Sequence, residues 1–308
     1  MTSTPTIVAV FLTLALSLAA VAAPPRDDSA AEKLGFTLGT QAWTWRERTA
    51  FEAIEMAQAL GLKRIELYPG QKLSKETGEV KVGPELTAEQ RAMLKKKLSD
   101  CAVTPNSFGV VGIPNDEAKA RVNFEFVKDM GMQTVTCEPE KDAWDLTSKL
   151  ADEYKLNVAI HNHPKPSFYW NPATVLEAIK GRSPRMGACA DTGHWPRSGL
   201  SPVDQLKALS GHIVELHFKD IIVDDAHKGG EDRPWGTGQG NAKGMLEELR
   251  RQGFKGVILL EYEVTSGKEL EENAQKCVKW FDEACAQILA AEAHAPPAGK
   301  NAQPAGKK

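Results

Sequence analysis

Cysteine is scarce and never paired. Cys101, Cys137, Cys189, Cys277 and Cys285 are the five in 308 residues, with no C-x-x-C spacing. That excludes a disulfide framework and a zinc ribbon, and leaves packed thiols as the reading. Basic blocks are missing too: 38 Lys and Arg oppose 41 Asp and Glu, a formal net charge of −3. Broad electrostatic capture of nucleic acid is therefore not expected. No G-x-G-x-x-G fingerprint follows the first strand-like run, which argues against an open dinucleotide-binding sheet.

Two ends of the chain stand apart from the rest. Residues 7–23 form an unbroken run of apolar and small residues that ends in Ala20-Val21-Ala22 and meets Pro24-Pro25-Arg26-Asp27-Asp28. That is the form of a secretory leader cut near Ala22. No Lys or Arg precedes the run, which leaves a retained N-terminal anchor as the alternative. The last residues, EAHAPPAGKNAQPAGKK, are too poor in apolar side chains to pack. The expected organisation is a leader over 1–22, one folded domain over 34–290 and a disordered tail over 291–308. The expected location is periplasmic or secreted, with no membrane segment after cleavage.

From residue 36 onward, short apolar runs alternate eight times with helical patterns. Strands are predicted at 36–40, 64–67, 103–108, 134–137, 157–160, 186–190, 213–216 and 257–260. Most are continuously apolar or β-branched, as strands buried on both faces are. Helices are predicted at about 51–60, 87–100, 116–130, 142–154, 172–180, 202–209, 241–252 and 268–289. Asn115-Asp116 and Asp142 are candidate N-terminal caps. The unit count and length point to a (β/α)₈ barrel.

In such a barrel, chemistry gathers where strands end. Those positions hold Glu66-Leu67-Tyr68, Cys137-Glu138-Pro139-Glu140, Ile160-His161-Asn162-His163, Asp191-Thr192-Gly193-His194, Leu216-His217-Phe218-Lys219-Asp220 and Leu260-Glu261-Tyr262-Glu263. Any one of them alone reads as a loop hydrogen-bonder. Together, carboxylates converging on one axis repel unless something positive neutralises them. A divalent cation does so, and mixed Glu/Asp/His donors suit manganese, zinc, cobalt or iron. Strand parity predicts that Glu140 and Glu263 face away from Glu138 and Glu261.

Asp191-Thr192-Gly193-His194, His217-Phe218-Lys219-Asp220, the loop from Pro234-Trp235-Gly236 to Gly240, and Leu260-Glu261 together resemble the xylose isomerase-like superfamily. That group includes sugar phosphate isomerases and epimerases, inosose dehydratase and endonuclease IV-type enzymes. The resemblance spans about Gly39 to Glu263, and implies a TIM barrel with Asp191, His217 and Glu261 as metal ligands. It also implies a fourth acidic ligand at the end of strand four or five. Many relatives place Glu where this chain has His161, so Glu138 is the expected fourth ligand, with His161 as its rival.

The chemistry implied is metal-dependent isomerisation or epimerisation of a free or oxidised sugar through an ene-diolate. A keto-sugar or keto-glycoside lyase or dehydratase shares the first step, and a non-catalytic sugar-binding barrel is a third reading. Glu138 and Glu261 are candidate proton-transfer bases, and His163 and His194 candidate acids or supports for a ligand. Lys219 either steadies an oxyanion or pairs with Asp220, the latter being the more ordinary outcome. Trp43, Trp195 and Trp235 are candidate sugar-stacking aromatics, with His161 and Arg233 as polar contacts. The expected partner is a small carbohydrate, with homo-oligomerisation left open. No glycine-rich cradle follows strands seven and eight, so a phosphate group is not expected.

Overall fold

The structure is a computed structural model, and it describes residues 26–226 and 229–294. The expected leader lies outside the described residues, as do residues 295–308 of the expected tail. Strands β1 (Phe36–Gln41), β2 (Arg64–Leu67), β3 (Thr104–Ile113), β4 (Thr134–Pro139), β5 (Asn157–His161), β6 (Met186–Asp191) and β7 (Ile213–Phe218) run parallel in sequence order. An antiparallel hairpin follows, β8 (Asp220–Ile222) with β9 (Glu231–Arg233), and then β10 (Gly256–Leu260) closes the barrel between β7 and β1. Thr40 pairs with Leu260 at that seam. The chain is thus a (β/α)₈ barrel.

The helices are α1 (Ser29–Leu34), α2 (Ala50–Ala59), α3 (Ala88–Asp100), α4 (Glu117–Asp129), α5 (Trp144–Tyr154), α6 (Pro172–Ile179), α7 (His194–Arg197), α8 (Pro202–Ala208), α9 (Ala242–Arg251) and α10 (Gly267–His294). Helix α2 starts at a reciprocal cap, in which Thr49 accepts from the Glu52 N–H and Glu52 accepts from the Thr49 N–H. Asp116 caps α4 by accepting the Lys119 N–H. Asp142 does not cap: it sits in a 3₁₀ turn, Lys141–Ala143, that leads into α5. Among the described residues, no helix is long and apolar enough to cross a membrane.

Several strands outrun their apolar pattern. β5 continues to His161, β6 to Asp191 and β7 to Phe218, because ladder hydrogen bonding persists after the apolar side chains stop. The polar residues at these ends are consequently held by sheet geometry. The folded body is also larger than 34–290. Arg26 makes a two-pronged pair with Asp282 at 2.8 and 2.6 Å, fixing the segment that carries α1 against α10. At the other end Arg250 holds Glu292 at 2.6 and 2.8 Å, so the helix persists through His294.

The helices bury their apolar faces on the outside of the barrel, and all five cysteines are buried thiols. The barrel interior carries a polar layer. Glu215 accepts from Thr136 Oγ1 at 2.6 Å and Asn106 Nδ2 at 2.7 Å. Burial, reinforced by the neighbouring Glu66 carboxylate, pushes the Glu215 carboxyl up to about 7. Gly109 on β3 allows close strand approach there, since a Cβ would lie 2.3 Å from the Thr136 carbonyl oxygen.

Candidate metal centre at the barrel rim

Asp191 ends β6 fully buried. Its Oδ1 accepts the N–H groups of Gly193 and His194, both at 2.9 Å, so the turn after the strand folds around one carboxylate oxygen. Asn162, just past β5, fixes the same residue, accepting the Asp191 N–H at 2.9 Å and donating to its carbonyl at 3.0 Å. The other oxygen, Oδ2, is aimed into the site. It lies 3.0 Å from Lys219 Nζ, 3.4 Å from His194 Nε2 and 3.5 Å from His161 Nε2. Burial opposes ionisation, but the facing cations outweigh it and hold the carboxyl well below its usual range.

His217, one residue before the end of β7, lies between two acids. Its Nε2 is 2.9 Å from Glu66 Oε2, which also accepts the Ser107 hydroxyl at 3.0 Å. Its Nδ1 faces Glu261 Oε2 at 3.1 Å. Burial disfavours the charged ring, yet the flanking carboxylates hold its pKa well above the usual imidazole value. With Glu66 accepting a hydrogen bond from Nε2–H, Nδ1 is the nitrogen that would ligate once an entering ion displaces its proton. A carboxylate behind a ligating histidine sets its tautomer and orientation in this way.

Asp191, His217 and Glu261 each offer one ligand atom, and these three atoms lie within 4.8 Å of one another. Asp191 Oδ2, His217 Nδ1 and Glu261 Oε2 are all buried, and their close contacts are ionic ones with Lys219, with the neighbouring histidines and with each other. Three buried, convergent ligand atoms of mixed nitrogen and oxygen type fit a divalent transition ion. Lys219 Nζ sits against the same group, 3.0 Å from both Asp191 Oδ2 and Glu261 Oε2.

Glu138 lies elsewhere on the rim. Its Oε1 is 2.5 Å from His163 Nδ1 and 3.7 Å from His161 Nδ1, and these three residues form a separate cluster of potential ligand atoms. Burial resists its charge, but the two imidazoles outweigh it and bring the carboxyl down to about 2. His161 lies between the clusters, one nitrogen toward Glu138 and the other toward Asp191. His194 is held differently. Its Nδ1 is 2.9 Å from Arg197 Nη1, and a guanidinium only donates, so Nδ1 accepts and Nε2 carries the proton. Burial first, and then nearby cations, keep this ring neutral, with its pKa well below the usual value.

Several expectations are corrected. Glu263 turns inward, because β10 stops at Leu260 and strand alternation ends with it. Its N–H donates to Asp232 Oδ2 at 2.6 Å, and its carboxylate meets Lys219 at 2.7 Å, Arg197 at 3.3 Å and the Trp43 indole N–H at 3.1 Å. Lys219 therefore pairs with Asp191, Glu261 and Glu263. Asp220 faces the opposite way and accepts the N–H groups of Gly236, Gly238 and Gly240, each at 2.9 Å. Trp195 and Trp235 are 1% exposed and serve as core residues; Trp235 packs edge-on against Phe218. Arg233 is on the hairpin, 2.9 Å from Glu231, and does not line the rim cavity.

That cavity has a volume of about 310 Å³ and is lined by Gln41, Trp43, Tyr68, Pro69, Gly109, Val110, His161, His163, His194, His217, Glu261 and Glu263. Trp43 stands at its mouth, 39% exposed. Glu66, Arg197 and Asp232 were not assigned roles from sequence. Glu66 had a signal: it is an isolated acid inside the four-residue buried strand β2.

The description xylose isomerase-like TIM barrel belongs to the family model that matches residues 120–284. A crystal structure of an uncharacterised protein from Parabacteroides distasonis is 32% identical, covers 81% of this chain and 99% of its own, and superposes with a TM-score of 0.65. An IolI protein solved with a bound zinc atom is 17% identical over 83% of this chain and 98% of its own, with a TM-score of 0.60. L-ribulose 3-epimerase is 16% identical over 84% of this chain and 99% of its own, with a TM-score of 0.58. At such identities the last two likenesses concern the fold alone. No curated protein sequence matches significantly.

Proposed function

The chain belongs to the xylose isomerase-like TIM-barrel family, and on that premise we propose that it is a metal-dependent isomerase or epimerase of a small free or oxidised sugar. The observation that carries the proposal is the convergence of three buried ligand atoms, one each from Asp191, His217 and Glu261, at the strand ends where barrel chemistry gathers. Those residues would hold the ion. When bound, it polarises a substrate carbonyl and stabilises the ene-diolate that follows loss of the neighbouring proton.

The remaining roles belong to the chain's own side chains. Glu261 lines the cavity on one side, and His163 lines it on another, oriented by Glu138. They are placed to take a proton from one carbon and return it to the next, or to the opposite face of the same carbon. His194, as a neutral Nε2–H donor, binds a substrate oxygen. Lys219 pairs with Asp191, Glu261 and Glu263 and offsets their negative charge. Trp43 offers an apolar face at the mouth, and about 310 Å³ suits one monosaccharide. An exported enzyme would meet free sugars, in keeping with the lack of a phosphate cradle.

The test is incubation of the metal-supplemented protein with a panel of ketoses and aldoses in D₂O. Carbon-bound deuterium in recovered sugar, lost in Asp191→Asn, is the expected result. Release of an elimination product would transfer the chain to the lyases. A panel that returns undeuterated, while sugar binding is detected, would make it a binding barrel.

A further inference from the structure

The rim contains more ligand atoms than one ion can use. Three clusters meet around Asp191 and His161: Asp191–His217–Glu261, His161–Asp191–His194 and Glu138–His161–His163. The middle one is disabled by its own hydrogen bonding. Arg197 occupies His194 Nδ1, which leaves Nε2 protonated and unable to ligate. In the third cluster the obstacle is a hydrogen bond between two of the would-be ligands themselves, which an entering ion can replace. Glu138 Oε1 and His163 Nδ1 are in contact at 2.5 Å, and His161 Nδ1 points toward the same oxygen from 3.7 Å. His161 is 2% exposed, and its Nδ1 has no hydrogen-bond partner. A buried imidazole nitrogen aimed at a carboxylate beyond hydrogen-bonding range is a group whose partner is missing.

We infer that Glu138, His161 and His163 form a second divalent-cation site, separate from the Asp191–His217–Glu261 centre and selective for zinc-like ions. Two imidazoles and one carboxylate are a zinc or cobalt donor set, whereas magnesium and calcium prefer all-oxygen shells. The site is weaker than the first for two reasons. It offers one carboxylate instead of two, and an entering ion must replace the His163–Glu138 hydrogen bond. His163 is 46% exposed on its side chain, so the ion enters and leaves from solvent.

Occupancy has a functional consequence, which alone rests on the isomerase reading. Nδ1 of His163 and Oε1 of Glu138 cannot ligate an ion and serve the proton path together. Zinc above the amount that fills the first site therefore removes one wall's acid–base group, and acts as an inhibitor.

The site itself is tested without activity. Untagged protein is stripped with a chelator and dialysed to equilibrium against zinc chloride, and bound zinc is counted by elemental analysis. The wild type is expected to hold about two ions per chain, with the second released at lower chelator strength. A Glu138→Gln/His163→Ala double variant is expected to hold about one and to melt like the wild type in the metal-free state. Asp191→Asn/Glu261→Gln is expected to keep the weaker ion and its visible cobalt absorption. Fewer than two ions in the wild type, or two retained in the Glu138/His163 variant, overturns the inference. A negative D₂O exchange result leaves the ion count unaffected, so the two proposals fail separately.

Discussion

Removal of the Asp220 carboxylate should open the loop that follows the hairpin. Asp220 is 1% exposed, with Oδ2 accepting the Gly236 and Gly238 N–H groups and Oδ1 accepting the Gly240 N–H. Burial pushes the carboxyl up, and the three donors draw it back. In Asp220→Asn the amide oxygen can replace Oδ2 and keep two donors, but the amide nitrogen then faces the buried Gly240 N–H. One charge-assisted bond is lost, at a cost of about 2 kcal/mol. In Asp220→Ala all three donors lose their acceptor. Water can reach those of Gly236 and Gly238 but not that of Gly240, so the cost is about 3–5 kcal/mol. Gly238→Ala should act in the same direction, since its Cβ would stand 2.4 Å from Asp220 Oδ1. The assay pairs urea denaturation with hydrogen exchange of the 236–240 amides, which should be protected only in the wild type. Trp235, buried under this loop, reports opening by a red-shifted emission. An Asp220→Ala variant within about 1 kcal/mol of the wild type, or an Asn variant that is the worse of the two, would refute the reasoning.

Two further predictions concern the acids inside the barrel. Glu66→Gln removes the carboxylate that fixes the His217 tautomer, and the affinity of the Asp191–His217–Glu261 centre should fall about 10–100-fold; unchanged affinity by chelator competition would exclude that role. Burial and the neighbouring Glu66 carboxylate push the Glu215 carboxyl up to about 7, from an ordinary glutamate value of 4.5. The folded chain therefore binds the extra proton between those values, and stability falls as pH rises through that window, by up to about 1.4 kcal/mol per unit. Glu215→Gln should flatten this slope in denaturation series from pH 4.5 to 7.5, and an equally steep slope in the variant would assign it to other groups.

Much of this was legible in the chain because the barrel announces itself through buried runs. Each strand is short, apolar and followed by a helical pattern, so the architecture follows from burial on both faces. The rim acids were visible as polar residues placed where each run stops. What the chain does not display is which of them meet. Glu66 and His217 are 151 positions apart, and their contact depends on inter-strand register around a closed sheet. Glu263 was misplaced because strand parity was extended past the last ladder bond. Trp195 and Trp235 differ from expectation because an aromatic in a strand-to-helix connection looks the same whether it packs inward or out, and both pack inward.

Lys219 changes what a metal would mean for this molecule. Its ammonium reaches Asp191, Glu261 and Glu263 at 3.0, 3.0 and 2.7 Å, so the centre carries a built-in counterion. The barrel then needs no external cation to tolerate its own acids, and an arriving ion competes with a charge already in place. On the proposed reading, a bound ion would be an exchangeable reagent instead of a structural pin. Catalytic output would then track the free-ion level of the compartment, while the amount of folded protein stays constant.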